Sequence, residues 1–293
     1  MVMIQKIPPA GPIENHRERE KGVLVYPVYS RRSGGLSVGI NLFPEKKICS
    51  FNCPYCEVFP FAENAGRQFS LEQMEVDLRA AIADALKRNI PVKDICFSGS
   101  GEPAMSPDFP EALRLAGRIL GETVPAARLV LITNGTGLRQ PELFSLLADA
   151  ALPAKATAFP ALDIWLKVDA GTRRWYEKMN RSAIPFGELT GKIKEFAACA
   201  PVTIQTMLCA VEGEAPPPNE AQAWELFVLD LAAIAANNGS GGIRKVQIYG
   251  KARPSPEDPK AYPLPIEYLE SRAESLRRAL GAVSPAPPVE VYP

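Results

Sequence analysis

Leu36-Ser37-Val38-Gly39-Ile40-Asn41-Leu42, followed six residues later by Cys49-Ser50-Phe51-Asn52-Cys53-Pro54-Tyr55-Cys56, is the stretch on which the fold turns. The first run alternates Leu36, Val38, Ile40 and Leu42 with Ser37, Gly39 and Asn41, and alternate side chains of a strand face opposite ways. The second puts three thiols in a C-x3-C-x2-C loop just beyond that strand. Three thiolates on one short loop can bind three irons of one 4Fe-4S cube, leaving the fourth iron without a protein ligand. An iron left open in this way can chelate the amino and carboxylate groups of S-adenosylmethionine and pass it an electron. Zinc is one alternative, but it would want a fourth Cys or His at matching spacing. The one histidine, His16, lies in a polar N-terminal stretch. Three unrelated core thiols are the other alternative.

Outward from this stretch, β-rich and helical runs alternate in six units, the pattern of βα repeats around a parallel sheet. Strands are expected at Leu36 to Leu42, Asp94 to Ser98, Arg128 to Thr133, Asp163 to Val168, Val202 to Cys209 and Lys245 to Tyr249. Helices are expected at Ser70 to Arg88, Asp108 to Gly121, Gln140 to Ala151, Phe186 to Ala198 and Asn219 to Asn237, with another at Ile266 to Leu280. In the first helix Ser70 reads as the N-cap, and Leu71, Met74, Leu78, Ala81, Ile82 and Leu86 as a core-facing stripe. Polar groups recur at alternate strand positions, as in Asp94, Cys96 and Ser98, or Thr203 and Gln205. Strands buried on both faces should be continuously apolar, so one face is expected under helices and the other on a polar lumen. A barrel with a wet lumen fits, and an open doubly wound sheet is the alternative; both gather ligands at the C-terminal ends of their strands. The expected organisation is an N-terminal extension packing on the barrel (1–35), the barrel (36–260), and a C-terminal helix with a Pro-rich tail (261–293). Ala215 to Pro218, Arg253 to Pro265 and Ser284 to Pro293 read as loops or tail.

The 293 residues carry 33 Lys plus Arg against 33 Asp plus Glu, with a pI near 6.7. No stretch is a basic block, so nucleic acid is not an expected partner, though a local patch could escape a whole-chain count. Met1 to Lys21 lacks the apolar core of a signal peptide, and no run approaches the roughly 20 apolar residues of a membrane span. A cytoplasmic monomer is the expectation. Cys96, Cys199 and Cys209 have no C-x2-C partner, so no second cluster is expected, and a reducing compartment would keep them as thiols.

Three turns follow expected strands. Phe97-Ser98-Gly99-Ser100-Gly101-Glu102-Pro103 offers close backbone approach at two glycines, and carbonyls and a carboxylate that can accept from an ammonium; an ordinary strand-to-helix turn is the bland alternative. Thr133-Asn134-Gly135-Thr136-Gly137 is a second tight polar turn. Lys167-Val168-Asp169-Ala170-Gly171 sets a cation and an anion on one strand face, where Lys167 could meet a carboxylate and Asp169 ribose hydroxyls or an amine, or the two could pair with each other. Gln205 is a further lumen candidate. Arg31, Arg32, Arg181 and Arg253 lie just outside strand ends and suit a carboxylate or phosphate on a substrate, or else cap helices and pair with surface Glu.

The cysteine spacing, with Tyr55 before the last cysteine, resembles the radical SAM superfamily. Gly99-Ser100-Gly101-Glu102-Pro103 resembles its Gly-Gly-Glu-Pro motif, which holds the amino group of S-adenosylmethionine, with one residue extra. Val246 to Tyr249, Ile248 among them, resembles the segment whose backbone meets the adenine. A narrower resemblance, to the Fe-S oxidoreductases related to wybutosine-synthesising enzymes, spans nearly the whole chain. It rests on Val28-Tyr29-Ser30-Arg31-Arg32, Gly39-Ile40-Asn41-Leu42, the cysteine loop with Glu57, Asp169-Ala170-Gly171, Met179-Asn180-Arg181 and Ala252-Arg253-Pro254. The resemblance implies an α/β fold, a partial (β/α)6 TIM-like barrel of the radical SAM type. It implies a 4Fe-4S cluster on Cys49, Cys53 and Cys56, and S-adenosyl-L-methionine held around Tyr55, Gly99, Ser100, Gly101, Glu102, Asn134, Asp169 and Ile248. The activity implied is reductive cleavage to a 5'-deoxyadenosyl radical that abstracts hydrogen from a small-molecule or peptide substrate. Lys167, Asp169, Gln205 and Arg253 would face that substrate, and an external one-electron donor of flavodoxin or ferredoxin type would serve the cluster. A glycyl-radical activating enzyme, and a regulatory Fe-S protein that binds S-adenosylmethionine without cleaving it, are the rival readings. The sequence departs from the wybutosine enzymes in showing no flavodoxin-like domain and no basic character, so their tRNA substrate is not carried over.

Overall fold

The computed structural model describes residues 23–58, 68–152, 160–238, 241–255 and 260–293. Its elements run β1 (Val25–Ser30), β2 (Gly35–Ile40), α1 (Leu71–Lys87), β3 (Val92–Phe97), α2 (Phe109–Thr123), β4 (Arg128–Thr133), α3 (Pro141–Ala151), β5 (Leu162–Lys167), α4 (Arg173–Met179), α5 (Phe186–Cys199), β6 (Pro201–Val211), α6 (Pro218–Asn238), β7 (Gly242–Gly250), β8 (Ala261–Pro263), α7 (Ile266–Leu280) and β9 (Val289–Tyr292). The sheet order is β1-β2-β3-β4-β5-β6-β7-β9. Strands β2 to β7 are parallel in sequence order, which each intervening helix permits by returning the chain to the same end of the sheet.

The sheet is curled. In a flat sheet β2 and β7, five steps apart, would lie about 24 Å from each other. Yet the guanidinium of Arg32, in the β1–β2 turn, sits 4.7 Å from the ring centre of Tyr249 on β7. Curling gives the strands an outer and an inner face. Val38, Ile40, Ile95, Phe97, Leu129, Leu131, Ile164, Leu166, Ile204 and Ile248 are buried on the outer face with the helices, where a fully buried side chain of this kind contributes about 1.5–3 kcal/mol. Ser37, Asp94, Asp163, Thr203, Gln205 and Gln247 fill the inner face, with Cys96, Val130 and Trp165 as a separate apolar patch. The alternation read from the strands is therefore a half-barrel wall, and the doubly wound alternative falls.

Three expectations need correction. The tail after Ser284 includes β9, which pairs parallel with β7; Val289-Glu290-Val291-Tyr292 alternates at strand period behind the prolines that mark the loop. Within the Arg253 to Pro265 loop, Ala261–Pro263 pairs antiparallel with the end of β6. Leu86 is 50% exposed and Ala85 is buried instead, because Met74, Leu78, Ile82 and Ala85 follow the helical period and Leu86 turns off it. Of the N-terminal extension, 23–35 is described. Val25–Ser30 joins the sheet antiparallel to β2, while His16 and the rest of 1–22 lie outside the described residues. Beyond what the sequence suggested is α4, begun by a Thr172 side chain accepting from the Trp175 amide.

Candidate functional site

The cysteine loop is tied to the turn after β3 before its first thiol is reached. Asn41 ends β2 with its Oδ1 accepting from the Phe43 and Ser100 amides and its Nδ2 donating to Ser100 Oγ. Ile48 then makes a parallel bridge to Gly101, its amide donating to Ser100 O at 3.1 Å and its carbonyl accepting from Glu102 N at 2.8 Å. This approach is why Gly101 is glycine. At its φ of 153°, a Cβ would lie 1.9 Å from the Ile48 carbonyl oxygen. One backbone ladder therefore sets the loop and the Gly99–Pro103 turn at a fixed spacing.

Polar donors surround the thiols. Asn134 Nδ2 donates to Cys49 Sγ at 3.6 Å and to Ser50 Oγ at 2.9 Å, and the Phe51 amide also points at Cys49 Sγ, at 3.4 Å. Asn180 Nδ2 lies 3.7 Å from Cys53 Sγ, and its carbonyl accepts from the Asn52 amide. Burial pushes the Cys49 thiol up to about 11 and the Cys53 thiol up to about 12, where Asp169 adds to it. All three are thiols without a disulfide. Among the described residues no group of three His, Cys, Asp or Glu side chains converges on a single point. A cube takes each thiolate on a different iron, so its ligands need only surround a volume. The half-buried, all-sulfur donor set with amides aimed at it fits that group.

Behind Cys53 lies a buried polar cluster. Asp169 accepts from Tyr55 OH, from Asn180 Nδ2 at 2.9 Å and from the Met207 amide at 2.9 Å, and its Oδ2 is 3.4 Å from Lys167 Nζ. Burial pulls Lys167 down, but Asp169 and Tyr249 outweigh it and hold the ammonium above its ordinary pKa. Tyr55 is raised by burial and Asp169, so it stays a neutral donor.

Several predicted site residues sit differently from one another. Gly99, Ser100, Gly101 and Asn134 do come together with the cysteine loop. Glu102 turns inward: it is 2% exposed, with Thr133 Oγ1 at 2.6 Å, Asn134 N at 2.7 Å and Ala104 N at 3.2 Å all donating to it. Burial raises its carboxyl to about 7. Ile248 is buried in β7 between β6 and β9, in register with Thr206 and Val291, so its backbone belongs to the sheet. Gln205 is in the lumen, accepting from Arg32 at 3.0 Å and donating to Gln247 at 2.9 Å. Arg253 pairs with Glu57 at 3.1 Å, while Arg181 lies 3.9 Å from Glu212. Asn180, quoted in the sequence only as part of a motif, is the residue whose role the pattern did not reveal; so is Tyr249, whose hydroxyl accepts from Lys167 at 2.5 Å.

A parallel half-barrel thus carries a three-cysteine loop and a glycine turn at the C-terminal ends of its first two parallel strands, the arrangement that the radical SAM resemblance implies. Residues 46–163 match the family model of the radical SAM superfamily, whose members use a 4Fe-4S cluster and S-adenosylmethionine. Solved structures share the fold. A radical SAM methyltransferase from Sphaerobacter thermophilus superposes over 92% of this chain and 69% of its own, with a TM-score of 0.60 at 17% identity. Streptococcus suis SuiB bound to S-adenosylmethionine covers 87% of this chain and 50% of its own, at 0.58 and 13%. A spore photoproduct lyase covers 92% and 79%, at 0.54 and 11%. Among curated proteins, a GTPase Obg from Brachyspira hyodysenteriae is 33% identical over 134 residues, 44% of this chain and 18% of that protein. A UPF0026 protein from Helicobacter pylori is 29% identical over 123 residues, 40% of this chain and 36% of that protein. The chain thus spans about a fifth and about a third of these two relatives. Among the described residues no helix is long and apolar enough to cross a membrane.

Proposed function

We propose that Cys49, Cys53 and Cys56 hold a 4Fe-4S cluster whose open iron takes S-adenosylmethionine, and that the lumen beneath holds the substrate. The backbone ladder between Ile48 and the Ser100–Glu102 turn carries this reading, since it joins the thiol loop to the carbonyls suited to an ammonium. When bound, the cluster and S-adenosylmethionine would supply a 5'-deoxyadenosyl radical that takes a hydrogen atom from the substrate, the electron coming from an external donor. The chain's own residues position and exclude. Asn134 and Asn180 donate toward two of the three sulfurs, and hydrogen bonds to cluster sulfurs tune potential. Carbonyls of the Gly99–Gly101 turn accept from the ammonium while Glu102, anchored beneath, fixes the turn. Lys167, kept charged by Asp169, has donor capacity left for a carboxylate. The test is anaerobic reconstitution with iron and sulfide, then dithionite and S-adenosylmethionine: release of 5'-deoxyadenosine is expected, and a reduced, full cluster that releases none would overturn the proposal in favour of a binding protein.

A further inference from the structure

At the N-terminal ends of the strands, opposite the cysteine loop, a solvent-open cavity of about 380 Å³ is lined by Arg31 and Arg32 of the β1–β2 turn, Lys93 of β3, Arg128 of β4, Lys245 of β7 and Glu290 of β9. That volume lies at the lower end of the range for small-molecule sites, about 300–1,000 Å³. Five cations face one carboxylate there, in a chain whose formal net charge is zero. The one wall carboxylate, Glu290, is 3.0 Å from Lys245. Arg128 is held from behind by buried Asp94 at 3.2 Å. Arg32 bonds to the neutral amide of Gln205, and among the described residues neither Arg31 nor Lys93 has a carboxylate at ion-pair distance. Burial and the nearby cations Arg253 and Arg32 hold Arg31 below the usual arginine value, partly opposed by Glu57. An anion entering the cavity would relieve that crowding, and guanidinium forks suit phosphate and carboxylate oxygens.

The cavity is connected to the cysteine loop through side chains. Arg32 lies 4.7 Å from the centre of the Tyr249 ring, Tyr249 accepts from Lys167, Lys167 pairs with Asp169, and Asp169 accepts from Tyr55 beside Cys56. We propose that this cavity binds a small polyanion, a phosphate ester or a polycarboxylate, and anchors the charged end of the substrate so that its reacting carbon extends up the lumen. The anion site stands on the cavity alone; its being the substrate's anchor rests on the radical SAM reading.

The full chain without cluster, titrated calorimetrically with pyrophosphate and separately with citrate at about 0.15 M salt, where exposed charges are screened beyond about 8 Å, tests it. Saturable binding of at least one anion at one site is expected, and the stronger of the two assigns phosphate or carboxylate chemistry. Arg32→Gln should weaken it about tenfold or more, since bonds to charged groups are the strong ones. Lys93→Gln, at an exposed position that does not endanger folding, should weaken it several-fold, and Arg173→Gln on α4 should leave it unchanged. Binding of neither anion, or equal weakening by Arg173→Gln, overturns the site. Those failures leave the release of 5'-deoxyadenosine untouched, whereas binding by a chain that releases none upholds the anion site and overturns its role as substrate anchor.

Discussion

Replacing Glu102 with Gln tests how the turn that faces the cluster is held. The buried carboxyl accepts from three donors, the Ala104 and Asn134 amides and Thr133 Oγ1. A glutamine keeps one acceptor oxygen and presents an amide to the rest, leaving a buried donor without a partner at a cost of about 1–3 kcal/mol. Against this runs the burial of the wild-type charge. Its carboxyl is raised from 4.5 to about 7, so the folded state binds the proton more tightly than the unfolded state does. The wild type therefore gains stability from this group as pH falls from about 8 to about 5, by roughly 2–3 kcal/mol, and loses it again as pH rises through about 7. Glutamine does not titrate. The stability gap between wild type and Glu102→Gln, measured by urea unfolding of cluster-free protein, should be 2–3 kcal/mol wider near pH 5 than near pH 8. Near pH 8 the two contributions nearly offset, and the variant should be close to wild type. A gap that is constant with pH, or wider at pH 8, would mean that a cation holds the carboxylate charged, and the inward placement of Glu102 would be refuted.

Cys53→Ala should bleach the reconstituted chromophore and lower iron well below four per chain, while Cys96→Ala, in the apolar patch with Val130 and Trp165, should leave iron content unchanged; iron and sulfide analysis reads both. Gly101→Ala must move the Ile48 carbonyl, which a Cβ would meet at 1.9 Å; with the strain of its φ, a loss of at least about 1–3 kcal/mol and poor cluster retention are expected in thermal melts and absorbance. Asn180→Ala removes a donor from Cys53 Sγ and one from Asp169, so the cluster potential in a redox titration should shift to more negative values, a change that loss of packing alone would not produce.

The parts of this molecule governed by short-range pattern were legible in its sequence. Six strands and their helices came from periodicity, because alternation and helical spacing record directly which face is buried. The cysteine loop and the glycine turn were legible as chemistry. Their joining at Ile48 and Gly101 was not, because a two-residue bridge between loops leaves no periodic trace. Val289–Tyr292 was hidden by the prolines ahead of it and by a length too short for alternation to stand out. Of the cationic cavity, Arg31 and Arg32 were legible as suited to a carboxylate or phosphate, but their gathering with Lys93, Arg128 and Lys245 was not. Its charges come from the β1–β2 turn, β3, β4 and β7, far apart in sequence and individually ordinary, and a zero net charge averaged them away.

Lys167 and Asp169 could have paired with each other or with ligands, and the structure divides the two roles between them. An ionised carboxylate has about four acceptor positions; Asp169 Oδ2 accepts from Tyr55 and Asn180 with Lys167 3.4 Å away, and Oδ1 accepts from the Met207 amide. Oδ2 is thus fully engaged, while Oδ1 keeps one acceptor position. Lys167 has three N–H donors; one goes to Tyr249 and Asp169 Oδ2 lies 3.4 Å from its nitrogen. Lys167 therefore keeps donor capacity, and the neighbouring Asp169 and Tyr249 outweigh burial to hold it charged. Asp169 is the point through which Cys53, by way of Asn180, and the lumen face, by way of Lys167 and Tyr249, are held in one arrangement. A ligand carboxylate arriving at a remaining N–H of Lys167 would be registered against the cysteine loop by bonds already made within the protein, which is the preorganisation that positioning a reacting carbon requires.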